Sequence, residues 1–166
     1  MQIKPHAGSS WAPQKRPVRH RATYRRHGGV SYFFGAYNIH EDELWMHHKH
    51  KKHATVVLDF LKAVRRRYAK AKRIYVVMDN LSTHKTPAIL AWCRRNQVSP
   101  VFTATNASWM NRLECHLTAA HYFVIKNSDP ADHRDVGQRM QEYLRWRNRN
   151  TEDTQLAKVQ NSMPTL

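Results

Sequence analysis

Two acidic residues stand out in a chain that carries few: Asp79, directly after the apolar run Ile74-Tyr75-Val76-Val77-Met78, and Glu114, 35 positions later in a helix-like stretch. An unbroken apolar run of strand length predicts a central strand buried on both faces, and Asp79 then sits at its carboxyl end, where open α/β sheets bind their ligands. Taken alone, Asp79 reads more readily as an Asx-turn residue leading into the next helix. Glu114 shifts that balance. It shares a helical face with Met110, Leu117 and His121, so it is expected to point toward the body, where a carboxylate is costly unless paired or metal-bound. One solution is a salt bridge to an arginine. The other is that two hard oxygen donors, one ending a strand and one on the helix after the next strand, meet around Mg²⁺ or Mn²⁺. Asn80 and Asn111 could orient the two carboxylates through their amides, or serve as turn and helix-start residues.

These residues need a scaffold, and the sequence supplies the signals for one. Ala22-Thr23-Tyr24 and the aromatic run Val30 to Tyr37, with Gly28-Gly29 between them, predict a hairpin, and a third strand follows near Glu43 to Met46. Glu41, Asp42 and Glu43 read as a solvated acidic turn. Val57, Leu61, Val64 and Tyr68 recur at helical spacing and predict a helix over about residues 54 to 70. After the Ile74 to Met78 strand, Thr86 and Pro87 mark a helix start and Asn96 its end; Pro100 to Thr103 is a short strand. Ser108 is the expected cap of a third helix with a Leu113, Leu117, Ala120, Val124 stripe, and Val136, Met140, Tyr143, Leu144 and Arg147 define one side of a last helix. The order is β-β-β-α-β-α-β-α, closed by that helix.

The composition names a partner. The 166 residues hold 28 Lys+Arg against 12 Asp+Glu, a formal charge of +16, with enough apolar and aromatic residues for a real core. Such an excess predicts polyanion binding through counterion release, and DNA is the leading candidate. The first twenty residues, with Pro5, Pro13 and Pro17, read as a positive arm that includes Lys15 and Arg16. Arg65, Arg66 and Arg67, together with Arg145 and Arg147, are the expected backbone contacts, solvated helix faces being the alternative. His47, His48, His50 and His53, interleaved with three lysines, read as a phosphate-facing link rather than a transition-metal site. The five tryptophans read as core or interface residues. Cys93 and Cys115 lack metal-ligand spacing, and no apolar run approaches membrane-span length, so no disulfide, zinc framework or membrane segment is expected.

Two blocks then resemble a known family. Val77-Met78-Asp79-Asn80-Leu81-Ser82-Thr83-His84-Lys85 is similar to the V-x-D-N-x-x-x-H-K block of mariner-like DDE transposases of bacterial insertion sequences, and Ser108 to Glu114 (SWMNRLE) resembles their S-W-L-N-x-I-E block. The 34 residues between Asp79 and Glu114 match the family's spacing. Gly8 to Pro17 resembles its G-x-x-W-A-P-x-G-x-x-P stretch, and Tyr143 to Asn148 its closing helix. The resemblance covers residues 1–149 as one domain, with 150–166 as a tail, and implies an α/β ribonuclease-H-like mixed sheet flanked by helices. It implies Asp79 and Glu114 as catalytic ligands of Mg²⁺ or Mn²⁺, with His84 and Lys85 supporting them or contacting phosphate. The implied reaction is DNA cleavage at transposon ends followed by strand transfer, in the cytoplasm beside a bacterial nucleoid.

The sequence also departs from that family. Its third carboxylate lies on a first strand ahead of the W-A-P stretch, whereas no Asp or Glu precedes Glu41 here. The upstream helix-turn-helix is absent, and Ala104-Thr105-Asn106 replaces the P-x-Y before the last block. The expectation is therefore a truncated transposase catalytic domain, inactive alone, either a relic or a fragment that complements another. The alternative is a non-enzymatic basic protein that binds DNA, associates with itself, or partners or inhibits a full-length transposase.

Overall fold

The aromatic run forms β1 (Tyr32–Asn38), which pairs antiparallel with β2 (Glu43–Lys49) in register from Tyr32↔Lys49 to Asn38↔Glu43. The structure, a computed structural model, describes residues 1–8, 13–16, 29–105, 107 and 110–151. The strand expected at Ala22 to Tyr24, the turn residue Gly28, the cap Ser108 and residues 152–166 lie outside these. β2 runs three residues beyond its expected end and takes in His47 and His48, because each finds an aromatic surface: His48 stacks on Phe33 at 4.9 Å, and His47 meets Phe60 at 5.5 Å. The basic link is thus partly strand.

Helix α1 (Ala54–Arg67) buries Val57, Leu61 and Val64, the expected stripe. Strand β3 (Ile74–Met78) pairs in parallel with β4 (Val98–Phe102), and the connection passes through a 3-10 turn at Ser82–His84 and helix α2 (Pro87–Arg95), which starts with Pro87 after Thr86. Parallel strands require such a crossover. Val57, Leu61, Met78, Ile89, Cys93 and Val98 form the core between these strands and α1 and α2. That core covers one face of the strands only. Tyr75 and Val77 on β3 and Val101 on β4 are exposed, which corrects the expectation of a strand buried on both sides: β3 and β4 form a two-stranded sheet, and the helices that pack on it sit on the Val76 and Met78 side.

The second core gathers around β2. Leu44 and Met46 pack with Ala120, Val124 and Ile125, from helix α3 (Leu113–Ala120) and the π-helical turn His121–Ile125 that extends it, and with Val136, Met140, Tyr143 and Leu144 of helix α4 (His133–Arg149). The Asp132 side chain accepts from the Asp135 N–H at 2.8 Å and caps α4. Near its other end, the Asn148 amide donates to the Leu44 carbonyl and accepts from the Leu44 N–H, at 2.7 and 3.0 Å, as a neighbouring strand would. The opening residues are not a free arm. Gln2 bridges Val30 antiparallel, the Ile3 N–H donates to Gly29 and the Ser31 N–H to Met1, and Ile3 is buried in this core.

Candidate active site at the carboxyl end of the parallel strands

Asp79 directly follows β3, and its main chain is folded into a tight turn. The Leu81 N–H donates to the Asp79 carbonyl at 2.7 Å, and Nδ1 of His84 lies 2.9 Å from the same oxygen. The turn is anchored to β4 by the Thr103 N–H, which donates to the Met78 carbonyl at 3.0 Å. The Asp79 carboxylate is thereby presented at the rim of the parallel pair. Its Oδ1 accepts from the Asn111 amide at 2.9 Å. Asn111 in turn starts α3: its Oδ1 accepts from the Leu113 N–H at 3.1 Å, and its carbonyl accepts from the Glu114 N–H at 2.9 Å. One side chain therefore ties the strand-end carboxylate to the first turn of the helix that carries Glu114.

Glu114 is exposed, not directed into the body. The inward face of α3 is led by Cys115, His116 and Ala120, with Leu113 and Leu117 partly buried beside them; Met110 is partly buried and His121 exposed, so the face assigned to Glu114 is the helix flank. A carboxylate on the flank keeps its hydration, which burial would have removed. Beside Asp79, the Asn80 amide donates to Thr105 Oγ1 at 3.3 Å, while its Oδ1 is buried with no hydrogen-bond partner among the described residues. Lys85 places its ammonium 5.0 Å from the Phe102 ring. The site thus gathers Asp79, Asn80, His84, Lys85 and Asn111 at one end of β3 and β4, with Glu114 on the adjoining helix turn.

The basic residues divide differently from expectation. Lys15, Arg16, Arg66 and Arg145 are exposed. Arg65 instead donates to the carbonyls of Tyr68 and Ala71 at 2.9 and 3.0 Å, closing the end of α1. Arg67 pairs with Glu43 and lies over the Trp45 ring. Arg147 is wholly buried, bonded to the carboxylate and carbonyl of Asp42, so it is a structural anchor and not a DNA contact. The acidic turn is correspondingly not a solvated loop: Asp42 and Glu43 each hold an arginine. The helical stripe did place Arg147 on the inner side of α4, but nothing in the sequence linked it to Asp42. His116 was also missed. It lies buried against Tyr37 with neither ring nitrogen bonded among the described residues, and burial, reinforced by the charges of Arg147 and Arg112, pushes its pKa down to about 4.

The backbone resembles solved transposase assemblies. The Mos1 strand transfer complex aligns with a TM-score of 0.65 at 14% identity, over 99% of this chain and 52% of that one. The Mos1 transposase paired-end complex with left transposon end gives 0.65 at 15% identity, over 98% and 52%. The pre-cleavage Mos1 transpososome gives 0.63 at 12%, over 99% and 53%. At these identities the likeness establishes the fold, a ribonuclease-H-like α/β arrangement, and the chain spans about half the length of the Mos1 chains. No curated protein matches the sequence. A family profile does: residues 1–135 match the DDE superfamily endonuclease domain, and the chain belongs to that family.

Proposed function

We propose that this chain is the catalytic portion of a DNA transposase, with Asp79 and Glu114 as two of three carboxylates that hold divalent metal ions at the carboxyl end of β3 and β4. The observation that carries the reading is the Asn111 bridge, which fixes the Asp79 carboxylate and the start of the Glu114 helix in one hydrogen-bonded unit. The donor set suits Mg²⁺ or Mn²⁺: two carboxylates and the Asn80 amide oxygen, unpartnered among the described residues, are hard oxygens. Bound there, the ions would supply Lewis acidity and an activated water for in-line attack on a phosphodiester. The protein's own share is positional. Asn111 orients Asp79, the His84 contact holds the turn on which Asp79 stands, and Lys85 offers a positive charge to a phosphate.

The third carboxylate would come from an acidic strand outside these 166 residues. Met1 to Ile3 run antiparallel to Gly29 to Ser31, so a strand leading into Met1 would run along β1 from the Asn38 end toward Ser31. β1 and β3 belong to separate two-stranded sheets, and such a strand between them would join the two. The formal charge of +16 also fits a second reading, a basic protein that binds transposon-end DNA or a full-length transposase without cutting.

A nicking assay on terminal-repeat DNA with Mg²⁺ or Mn²⁺ separates the two. The chain with an acidic strand added ahead of Met1 is expected to nick, and the same protein carrying Asp79→Ala or Glu114→Gln is not. DNA binding without cleavage by the extended chain would favour the non-enzymatic reading. Cleavage by the unextended chain that vanishes with Asp79→Ala would show that other residues complete the site.

A further inference from the structure

A second cluster of ligand-type side chains lies at the end of β2. His48 on β2, His50 just beyond it and His133, the first residue of α4, converge so that one ring nitrogen from each lies within 4.8 Å of the others. The His48 and His50 ring centroids are 5.1 Å apart, and those of His50 and His133 are 5.0 Å apart. The arrangement is held in place. The Ser31 hydroxyl lies 2.7 Å from Nδ1 of His133 and 2.9 Å from Nε2 of His48, and Phe33 stacks on the His48 ring. The three rings open onto a shallow pocket whose other walls are Asp132 and Arg134.

We propose that His48, His50 and His133 form a site for a divalent transition ion of the zinc class, fastening the first turn of α4 to the end of β2. Imidazole nitrogens suit Zn²⁺, Co²⁺ or Cu²⁺ and not the Mg²⁺ or Mn²⁺ that carboxylates favour, so this site is chemically distinct from Asp79 and Glu114. Ligands at Zn–N distances of about 2.0–2.1 Å stand roughly 3.3 Å apart in a tetrahedron. The exposed His50 has the freedom to close that remaining gap. Asp132 lines the same pocket. Arg134 and the α4 N-terminus oppose a cation there and favour an anion instead; the convergence of three imidazoles, two of whose rings are held in place by one hydroxyl, decides for the metal.

The test is calorimetric titration of the full chain with ZnCl₂ near neutral pH, paired with the visible spectrum on adding Co²⁺ and a parallel titration with inorganic phosphate. The expected result is one saturable Zn²⁺ per chain and Co²⁺ bands characteristic of nitrogen-rich tetrahedral coordination. Affinity should fall by roughly tenfold or more in His50→Ala and His133→Ala, and stay unchanged in His53→Ala. His50 is exposed, so its variant is expected to fold, and circular dichroism checks this for both. Absence of saturable binding, binding that survives both substitutions, or phosphate saturating the site with the same sensitivity while Zn²⁺ does not, would each overturn the proposal.

Discussion

Asn111 carries two functions on one amide, and its removal should separate them. Asn111→Ala deletes both the contact to Asp79 and the acceptor for the Leu113 N–H. The lost helix-start bond should cost about 1 kcal/mol in urea unfolding. Metal-dependent nicking by the extended chain should fall by roughly 10- to 100-fold, the loss typical when a group that orients a metal ligand is removed. Asn111→Asp retains the acceptor but not the donor, so it should keep most of the stability and still lose activity. Arg147 gives a second residue-level test. Removing one member of a buried ion pair costs about 3–5 kcal/mol because the other is left unpaired. Asp42→Ala strands a wholly buried guanidinium, whereas Arg147→Met leaves a carboxylate that is 31% exposed. The first should therefore destabilise more than the second in chemical denaturation, and an equal or opposite ranking would show that the pair does not anchor α4.

At the scale of elements, α3 is packed around a titratable group. His116 is neutral in the folded state down to about pH 4, whereas an unfolded-chain histidine titrates near 6.5. Above about pH 6.5 neither state is protonated and this stability is fully present; as pH falls toward 4 the unfolded state takes up the proton first, and up to about 3 kcal/mol is lost. Urea unfolding across that range should show the loss, and His116→Phe should remove this part of it. The helix stripes and the β3 run were legible because apolar periodicity directly reports a buried face: Val57, Leu61 and Val64 on α1, and Val136, Met140, Tyr143, Leu144 and Arg147 on α4, are buried as the spacing predicts. What spacing could not give was partnership. β3 reads as doubly buried because each of its residues is apolar, yet only the Val76 and Met78 side meets helices. The facing of Glu114 was misjudged for a related reason: a helix of eight residues offers two plausible inner faces, and His116, a polar residue, lies on the one that is buried. Asp42 with Arg147 and His48 with His133 are contacts across 105 and 85 positions, set by how α4 packs on β2 and by nothing local.

For the whole molecule, a charge of +16 and exposed Lys15, Arg16, Arg66 and Arg145 predict that the proposed DNA binding is electrostatic. Affinity for duplex DNA is expected to fall steeply and log-linearly with salt and to depend little on sequence, as a filter-binding series would record. Arg66→Ala should flatten the slope by about one unit, and Arg147→Met should not beyond its effect on folding. The two proposed centres differ in chemistry, an oxygen-donor site at the end of the parallel strands and a nitrogen-donor site where β2 meets α4. The assignment of the first is tested most directly by anomalous diffraction at the manganese edge from crystals of the chain with an acidic strand ahead of Met1, grown with Mn²⁺. The expected result is a peak within coordinating distance of carboxylate oxygens from both Asp79 and Glu114, lost in Asp79→Ala; a peak touching neither residue, or one that persists in that variant, would contradict it.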